Sequence, residues 1–160
     1  MNKLRICAFL RWSAAILALI LIVNLCGGSG TSHADPAQVF KAVSSELDMD
    51  TMQEADNQMV KRLYGLIPTD YEGLFLWYPT TNMGAEELLV VKLKDPAQAE
   101  TVRTAVEKRL ESQKKSFDGY GVEQYELLSN HSILDVRGNF LLFVVNPKAE
   151  LAREAFRKAL

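Results

Sequence analysis

Closely spaced acidic residues are the first groups in this sequence that could do chemistry, because carboxylate oxygens bind hard cations such as calcium. Four of them are Asp48, Asp50, Glu54 and Asp56. A calcium loop alternates its oxygen ligands and has a glycine in mid-loop, whereas no glycine follows here before Gly65. The pattern instead favours Asp50 as the cap of a helix, with Gln53 completing a capping box. We therefore predict no metal site and no cofactor.

Two further pairs of carboxylates could serve as the acid and the base of a glycan hydrolase. They are Glu86 with Glu87 and Asp70 with Glu72. Carboxylates are common in turns and at strand edges, where they only meet solvent. A carboxylate-based envelope hydrolase is therefore kept as the alternative function, and no catalytic residue is predicted.

Histidine, the most frequent general base, is scarce in this chain. His33 precedes the predicted domain, and His131 lies near the start of a predicted strand. Neither has a cysteine, a second histidine or a nucleophile motif beside it, and the chain contains no G-x-S-x-G, H-E-x-x-H or phosphate-loop pattern. This composition favours a binding protein over an enzyme.

Aromatic residues offer a binding surface instead. Trp77 and Tyr78 are neighbours in a predicted strand, so their side chains point to opposite faces. One ring could project beside the following loop, which contains Asn82, and form with it a patch for a protein or glycan. The alternative is that an N-terminal helix covers that face and both rings belong to the core.

The charge distribution argues against nucleic acid as a partner. The first 34 residues hold three of the 18 basic residues and none of the 20 acidic ones, so 15 basic and 20 acidic residues follow, a formal charge of −5. Phosphate binding needs a basic face, which an acidic domain with interspersed charges does not predict. Both cysteines, Cys7 and Cys26, also lie in this leader, so the rest of the chain has no thiol to oxidise outside the cytoplasm.

The first 26 residues predict a signal peptide or a membrane anchor. A positive n-region, residues 2–11, precedes an uncharged and mostly apolar run, residues 12–26. That run of 15 residues suits a signal peptide, whereas a membrane-spanning helix needs ~20. An uncleaved single-pass anchor is the less favoured alternative.

Two cleavage sites compete in this leader. Cys26 is followed by Gly27-Gly28-Ser29-Gly30 and resembles a lipidation site, although Asn24 and Leu25 are larger than the residues usual before it. Ala34 ends a small-residue Ser-His-Ala pattern, and cleavage there would secrete the domain. We expect lipid on Cys26, a flexible tether over residues 27–34 and a domain on the extracytoplasmic face of the cell membrane.

Helix signals open the predicted single domain, residues 35–160. The tetrapeptide DPAQ occurs at Asp35–Gln38 and at Asp95–Gln98, and in each the aspartate suits an N-cap and the proline the first turn. Two short amphipathic helices are predicted first, one after Asp35 and one from Asp50 to a stop at Gly65.

The remaining chain twice repeats a hairpin followed by a helix. The first copy has strand patterns at residues 72–79 and 87–94 and a helix that ends at "DGYG". The second has "SILDV" and "NFLLFVV" around a Gly138-Asn139 turn, with Tyr125–Leu128 extending its first strand, and a last helix after Asn146-Pro147. The order ββαββα predicts an α+β two-layer sandwich, an antiparallel sheet of about four strands with helices on one face, after the two N-terminal helices.

The order and spacing of these signals resemble a known family. The segments concerned are "MVKRLYGLIPTDYE", "AEELLVVKLKDPAQAETV", "RLESQKKSFDGYGVEQY" and "RGNFLLFVVNP". They are similar to domain of unknown function 4358, found in small predicted lipoproteins of Firmicutes, over nearly all of Asp35–Pro147. The resemblance implies an extracytoplasmic, membrane-attached location and supplies no activity or catalytic residue. We expect a monomeric, membrane-tethered domain that binds an envelope protein or glycan, with Trp77, Tyr78 and Asn82 as the candidate patch.

Overall fold

The structure is a computed structural model that describes residues 30–160, so Cys26 and the predicted signal peptide lie outside the described residues. Thr31–Leu160 form one unit. Its helices are α1 Pro36–Ser44, α2 Asn57–Tyr64, α3 Gln98–Phe117, α4 Val122–Asn130 and α5 Ala149–Ala159. Its strands are β1 Met52–Glu54, β2 Gly73–Pro79, β3 Glu87–Lys92, β4 Ser132–Arg137 and β5 Phe140–Val145, and a 3-10 turn spans Pro68–Asp70. In this part of the chain, no helix combines the length and the apolar character needed to span a bilayer.

The five strands form one antiparallel sheet in the order β1-β2-β3-β5-β4. The central strands β3 and β5 pair along their whole length, from Glu87 opposite Val145 to Lys92 opposite Phe140, and all their residues are buried. Strands covered on both faces are apolar at consecutive positions, which explains the sequences ELLVVK and FLLFVV.

Helices cover both faces of this sheet, and each face has its own core. Leu89 and Phe143 belong to the core under α2, α3 and α4, whereas the neighbouring Leu88 and Val144 belong to the core under α1 and α5. The predicted mixed class with an antiparallel sheet is confirmed, but the prediction of a two-layer sandwich with helices on one face is wrong. Leu88 and Val90 are buried on the face opposite to Leu89 and Val91, so they need a second helical layer.

The region after Asp50 begins with a strand instead of a helix. Met52–Glu54 form the edge strand β1, in which Met52 lies opposite Pro79 of β2. Helix α2 begins only at Asn57, where Asp56 Oδ1 accepts a hydrogen bond from the Met59 amide at 2.7 Å. The predicted cap at Asp50 and the four-stranded count are therefore wrong, because Met52–Glu54 pair with β2 as a fifth strand and the helix begins only after Asp56.

The predicted stop at Gly65 and the second DPAQ motif are confirmed. Gly65 adopts a left-handed conformation with φ 71°, and its amide donates to the Lys61 carbonyl at 2.9 Å. Asp95 Oδ1 accepts from the Ala97 amide at 2.8 Å, and Gln98 Oε1 accepts from the Asp95 amide at 3.1 Å. This reciprocal pair starts the long helix α3.

Residues 122–130 form helix α4, so the prediction that Tyr125–Leu128 extend a strand is wrong. The Tyr125 amide donates to the Gly121 carbonyl at 2.8 Å, and Leu128 packs in the α3-side core while Tyr125 is exposed. Only one short stripe of this helix is apolar, which is why the four-residue window around Leu128 could be taken for a strand.

The chain before α1 is hydrogen-bonded to the domain. The Ser32 amide donates to Asn139 Oδ1 at 2.8 Å, and Asn139 Nδ2 donates to the Ser32 carbonyl at 3.2 Å. Ser32 Oγ donates to the Leu160 carbonyl at 3.0 Å, and Lys92 Nζ donates to the Ala34 carbonyl at 3.0 Å. We call Ser32–Ala34 the N-terminal strap. The predicted tether spans residues 27–34, but its last three residues are part of the folded unit because buried Asn139 and Lys92 need these partners.

Candidate functional site

A fully buried carboxylate at the start of β3 organises the space between the sheet and two helices. Glu87 is 0% exposed and, like Leu89 two residues later, faces α2 and α3. Tyr64 is the last residue of α2, and Arg109 and Gln113 lie one turn apart on the same side of α3. Three elements thus bring four polar side chains to one buried point.

Glu87 accepts hydrogen bonds from all three of these side chains. Tyr64 Oη donates to Glu87 Oε1, and Arg109 donates from Nη2 to Oε2 at 2.7 Å and from Nε to both oxygens at 3.2 Å. Gln113 Nε2 donates to Oε2 at 3.0 Å. A carboxylate can only accept, so the amide nitrogen of Gln113 must face Glu87. The side-chain oxygen of Gln113, Oε1, is buried and has no hydrogen-bond partner among residues 30–160.

Burial and charge fix the protonation states of Tyr64 and Arg109. Burial raises the pKa of the Tyr64 hydroxyl well above its ordinary value, and the Glu87 carboxylate raises it further. For Arg109, burial lowers the pKa, but the hydrogen bonds and the charge of Glu87 outweigh it, so its pKa is raised. Tyr64 therefore stays a donor and Arg109 a cation throughout the physiological range.

A groove runs over this network between α2, α3 and the loop that joins β2 to β3. It has two depressions that share Arg62, Leu63 and Arg109. The first, of about 240 Å³, also has Gln113 and Phe117 in its wall. The second, of about 350 Å³, extends along α2 and α3 past Lys61 and Lys108. We call the two together the cationic groove.

The charge of this groove is opposite to that of the domain. Its lining includes Lys61, Arg62, Lys108 and Arg109 and no aspartate or glutamate. Of these four cations, Arg109 alone has a carboxylate partner within residues 30–160, the buried Glu87. Lys61, Arg62 and Lys108 therefore give the groove a positive charge on a domain whose formal charge from Asp35 onward is −5.

The family model of the Domain of unknown function (DUF4358) matches residues 45–146, more than half of the chain. The chain belongs to this family. Neither the curated proteins nor the solved structures contain a match to it. The DUF4358 segment includes all five strands, α2, α3, α4 and every residue of the cationic groove, whereas α1 and α5 lie outside it.

Two of the three residues of the predicted patch, Tyr78 and Asn82, lie together in the DUF4358 domain, whereas Trp77 lies apart from them. Tyr78 and Asn82 both line the cationic groove beside Arg109. Trp77 packs on the opposite face of β2, where Phe40 of α1 stacks on it with ring centroids 6.3 Å apart. The covering N-terminal helix thus exists, but it covers only one of the two neighbouring rings.

The carboxylate pairs proposed for hydrolysis are separated in the DUF4358 domain. Glu86 accepts hydrogen bonds from Thr51 Oγ1 and, at 3.0 Å, from Asn146 Nδ2, away from the donors that hold Glu87. Glu72 forms an ion pair with Lys92 at 2.7 Å, which Asp70, in the preceding 3-10 turn, does not join. Neither pair presents two free carboxylates to one cleft.

The other sequence candidates lie on the surface of the DUF4358 domain. His33 and His131 are exposed, and His131 caps the end of α4 with its backbone. Asp48 Oδ1 accepts from the Asp50 amide at 3.1 Å, and Asp56 caps α2. Across residues 30–160, no three or more histidine, cysteine, aspartate or glutamate side chains are grouped in a way that could hold a metal ion.

The sequence reasoning missed the buried network, although one signal pointed to it. Glu87 lies 22 to 26 residues from its partners, which occupy two different helices, so no local motif joins them. Its place in register with Leu89 and Val91 does predict a carboxylate inside the core, and a buried carboxylate requires donors.

Proposed function

We propose that this DUF4358 protein is an extracytoplasmic binding module, held to the membrane by lipid on Cys26, that retains an envelope protein or another envelope component in its cationic groove. The observation that carries the proposal is the groove itself, where Tyr78 and Asn82 meet the exposed Arg62 and the fixed guanidinium of Arg109. Concave sites that combine apolar walls with a few converging polar groups are typical of ligand binding.

The state of the buried groups supports binding over catalysis. A general acid or base must exchange a proton near neutral pH, within reach of a substrate. Glu87 lies fully inside the domain with three donors around it, and the raised pKa of Tyr64 keeps its hydroxyl protonated. These groups fix the guanidinium of Arg109 in place, which favours recognition of a ligand with a matching charge.

The N-terminal strap supports lipid attachment at Cys26 over cleavage after Ala34. Cleavage after Ala34 would remove Ser32, which supplies both hydrogen-bond partners of the buried Asn139 side chain. It would also remove the Ala34 carbonyl, to which Lys92 Nζ donates. Each buried polar group left without a partner costs about 1–3 kcal/mol. Cleavage before Cys26 retains the strap.

We do not propose the hydrolase alternative. Glycan hydrolysis by two carboxylates requires both to face the same bond. Glu86 and Glu87 are held by different donors, and Glu72 is paired with Lys92.

Photo-crosslinking in the native host tests the binding proposal. A photoreactive residue replaces Asn82 in the groove of the full-length protein, and a matched variant carries it at Lys41, an exposed position on α1. We expect a discrete adduct from position 82 that position 41 does not give, and mass spectrometry then identifies the partner. The absence of an adduct at position 82, or the same adduct from both positions, would contradict a binding site in the groove.

A further inference from the structure

We propose that the cationic groove takes an acidic peptide segment of a partner protein, with one of its carboxylates between Arg62 and Arg109 and a neighbouring apolar side chain in the first depression. This inference rests on the proposed binding function and names the ligand class for the same groove. Three observations carry it: the fixed guanidinium, the free cations and the apolar walls.

The fixed guanidinium is that of Arg109. Its Nε and Nη2 are used by Glu87, so the second amino group, Nη1, is the one left to meet a ligand in the groove. Because Glu87 holds the plane of the guanidinium, little side-chain entropy is lost when a carboxylate binds there. Arginine recognises carboxylates through such planar, charge-assisted hydrogen bonds.

The free cations indicate that the ligand carries a negative charge. Arg62 is exposed and forms no ion pair within residues 30–160, and it lines both depressions together with Arg109. Lys61 and Lys108 continue the positive field along the second depression. An extended ligand with more than one carboxylate can therefore follow the groove from the Tyr78 end to the lysines.

A phosphate or sulfate polymer has the charge that suits this groove but no apolar groups. A peptide can carry acidic and apolar side chains next to each other, so the lining of the first depression distinguishes the two.

The apolar walls match the side chains beside an acidic residue in a peptide. Met59, Leu63 and Phe117 line the first depression together with the ring of Tyr78. Its volume of about 240 Å³ suits a large aliphatic or aromatic side chain. The favoured segment is therefore an acidic residue followed or preceded by a large apolar one.

Panning of a phage-displayed random heptapeptide library tests this ligand class. The target is the full-length protein purified in detergent, with R62Q as the test variant and K41Q as the control that removes one charge from α1. Peptides selected by the wild type should be enriched in aspartate and glutamate next to large apolar residues. Their binding should weaken about tenfold or more in R62Q, the loss of one charge-assisted hydrogen bond, and should not change in K41Q. Equal thermal transitions of the three proteins establish that R62Q is folded.

Three results would overturn the inference. The first is that the selected peptides are neutral or basic. The second is that R62Q and K41Q weaken peptide binding equally. The third is that polyphosphate displaces the selected peptides and itself binds more tightly. If panning fails while position 82 still gives its specific adduct in the host, the peptide class is wrong and the binding function stands. If the position-82 adduct is absent as well, the proposed binding function is also contradicted.

Discussion

At the scale of single residues, Glu87 determines the shape of the candidate site. It is a fully buried charged residue at the start of β3, and its hydrogen bonds fix the orientations of Tyr64, Arg109 and Gln113. A buried ion pair contributes little net stability compared with an apolar pair, but removal of one partner is costly. We therefore infer that the Glu87–Arg109 ion pair serves to position residues that line the cationic groove.

The first prediction concerns the removal of this charge. Glu87→Gln leaves the guanidinium of Arg109 without its counter-charge, so we expect a loss of about 3 kcal/mol in the free energy of unfolding, measured by urea denaturation. Glu86→Gln is the matched control and should lose about 1 kcal/mol, because Glu86 is partly exposed. The double variant Glu87→Gln with Arg109→Met should recover part of the loss, because it removes the uncompensated charge and keeps a side-chain oxygen that can accept from Tyr64 or Gln113. A Glu87→Gln protein as stable as the control would contradict the account.

The second prediction concerns alkaline pH. The pKa of Tyr64 is raised in the folded state, first by burial and then by the charge of Glu87, whereas a tyrosine in the unfolded chain ionises near ~10. Above that pH the unfolded state has lost a proton that the folded state keeps, so stability falls as pH rises. Urea unfolding of Tyr64→Phe between pH 9.5 and 11 should show a shallower fall than the wild type, and at pH 7–8 the two slopes should agree. Identical slopes at high pH would exclude this role for Tyr64.

At the scale of elements, α1 and the N-terminal strap complete the second layer of the fold. Phe40 of α1 stacks on Phe75 and Trp77, with centroid distances of 5.2 and 6.3 Å, and the strap bonds Asn139 and Lys92. Both contacts join residues outside the DUF4358 segment to residues inside it. In this protein, the residues before the DUF4358 segment thus help to cover one face of its sheet.

The third prediction uses Trp77 as a reporter of this layer. Trp77 is the one tryptophan of a chain cut before Cys26, since the other is Trp12. Phe40→Ala removes the ring stacked on it, so its emission should shift to longer wavelength, with a loss of about 2 kcal/mol for this partly buried ring. Arg62→Gln lies across the sheet and should leave the emission unchanged. A shift in Arg62→Gln equal to that in Phe40→Ala would contradict the placement of Trp77.

The fourth prediction measures the strap. A chain that begins at Asp35 should still fold, but with about 2 kcal/mol less stability than one that begins at Gly27, because Asn139 loses its partners. A chain that begins at Thr31 keeps the strap and should match the longer one. Equal midpoints for all three chains in thermal unfolding would show that the strap contributes nothing and would remove its support for cleavage before Cys26.

At the scale of the whole molecule, local signals predicted most of the elements but not how they pack. The Gly65 stop, the DPAQ cap at Asp95 and the Gly138-Asn139 turn depend on backbone chemistry within four residues, and all three occur as predicted. The second helical layer was missed because it follows from Leu88 and Val90, whose partners in α1 and α5 are distant in sequence. Edge strand β1 was missed for a similar reason, since it exists through its pairing with β2.

The residues of the candidate site likewise fall into two groups, those that local sequence could indicate and those that only packing brings together. Tyr78 and Asn82 could be selected from the sequence because an aromatic residue beside a polar loop is a local pattern. Arg62, Arg109 and Gln113 could not, because they lie on amphipathic helices where cations and amides are ordinary surface residues. Only the packing of α2 against α3 over Glu87 brings them together.

The central claim, that the cationic groove is the binding site of the tethered protein, is tested most directly by the yield of the position-82 crosslink in native membranes. The measurement compares the Asn82 crosslinking variant alone with the same variant carrying Arg62→Gln or, as control, Lys41→Gln. The account predicts that Arg62→Gln lowers the adduct yield about tenfold at equal protein level, whereas Lys41→Gln leaves it unchanged. An adduct whose yield is the same in all three proteins would contradict the claim.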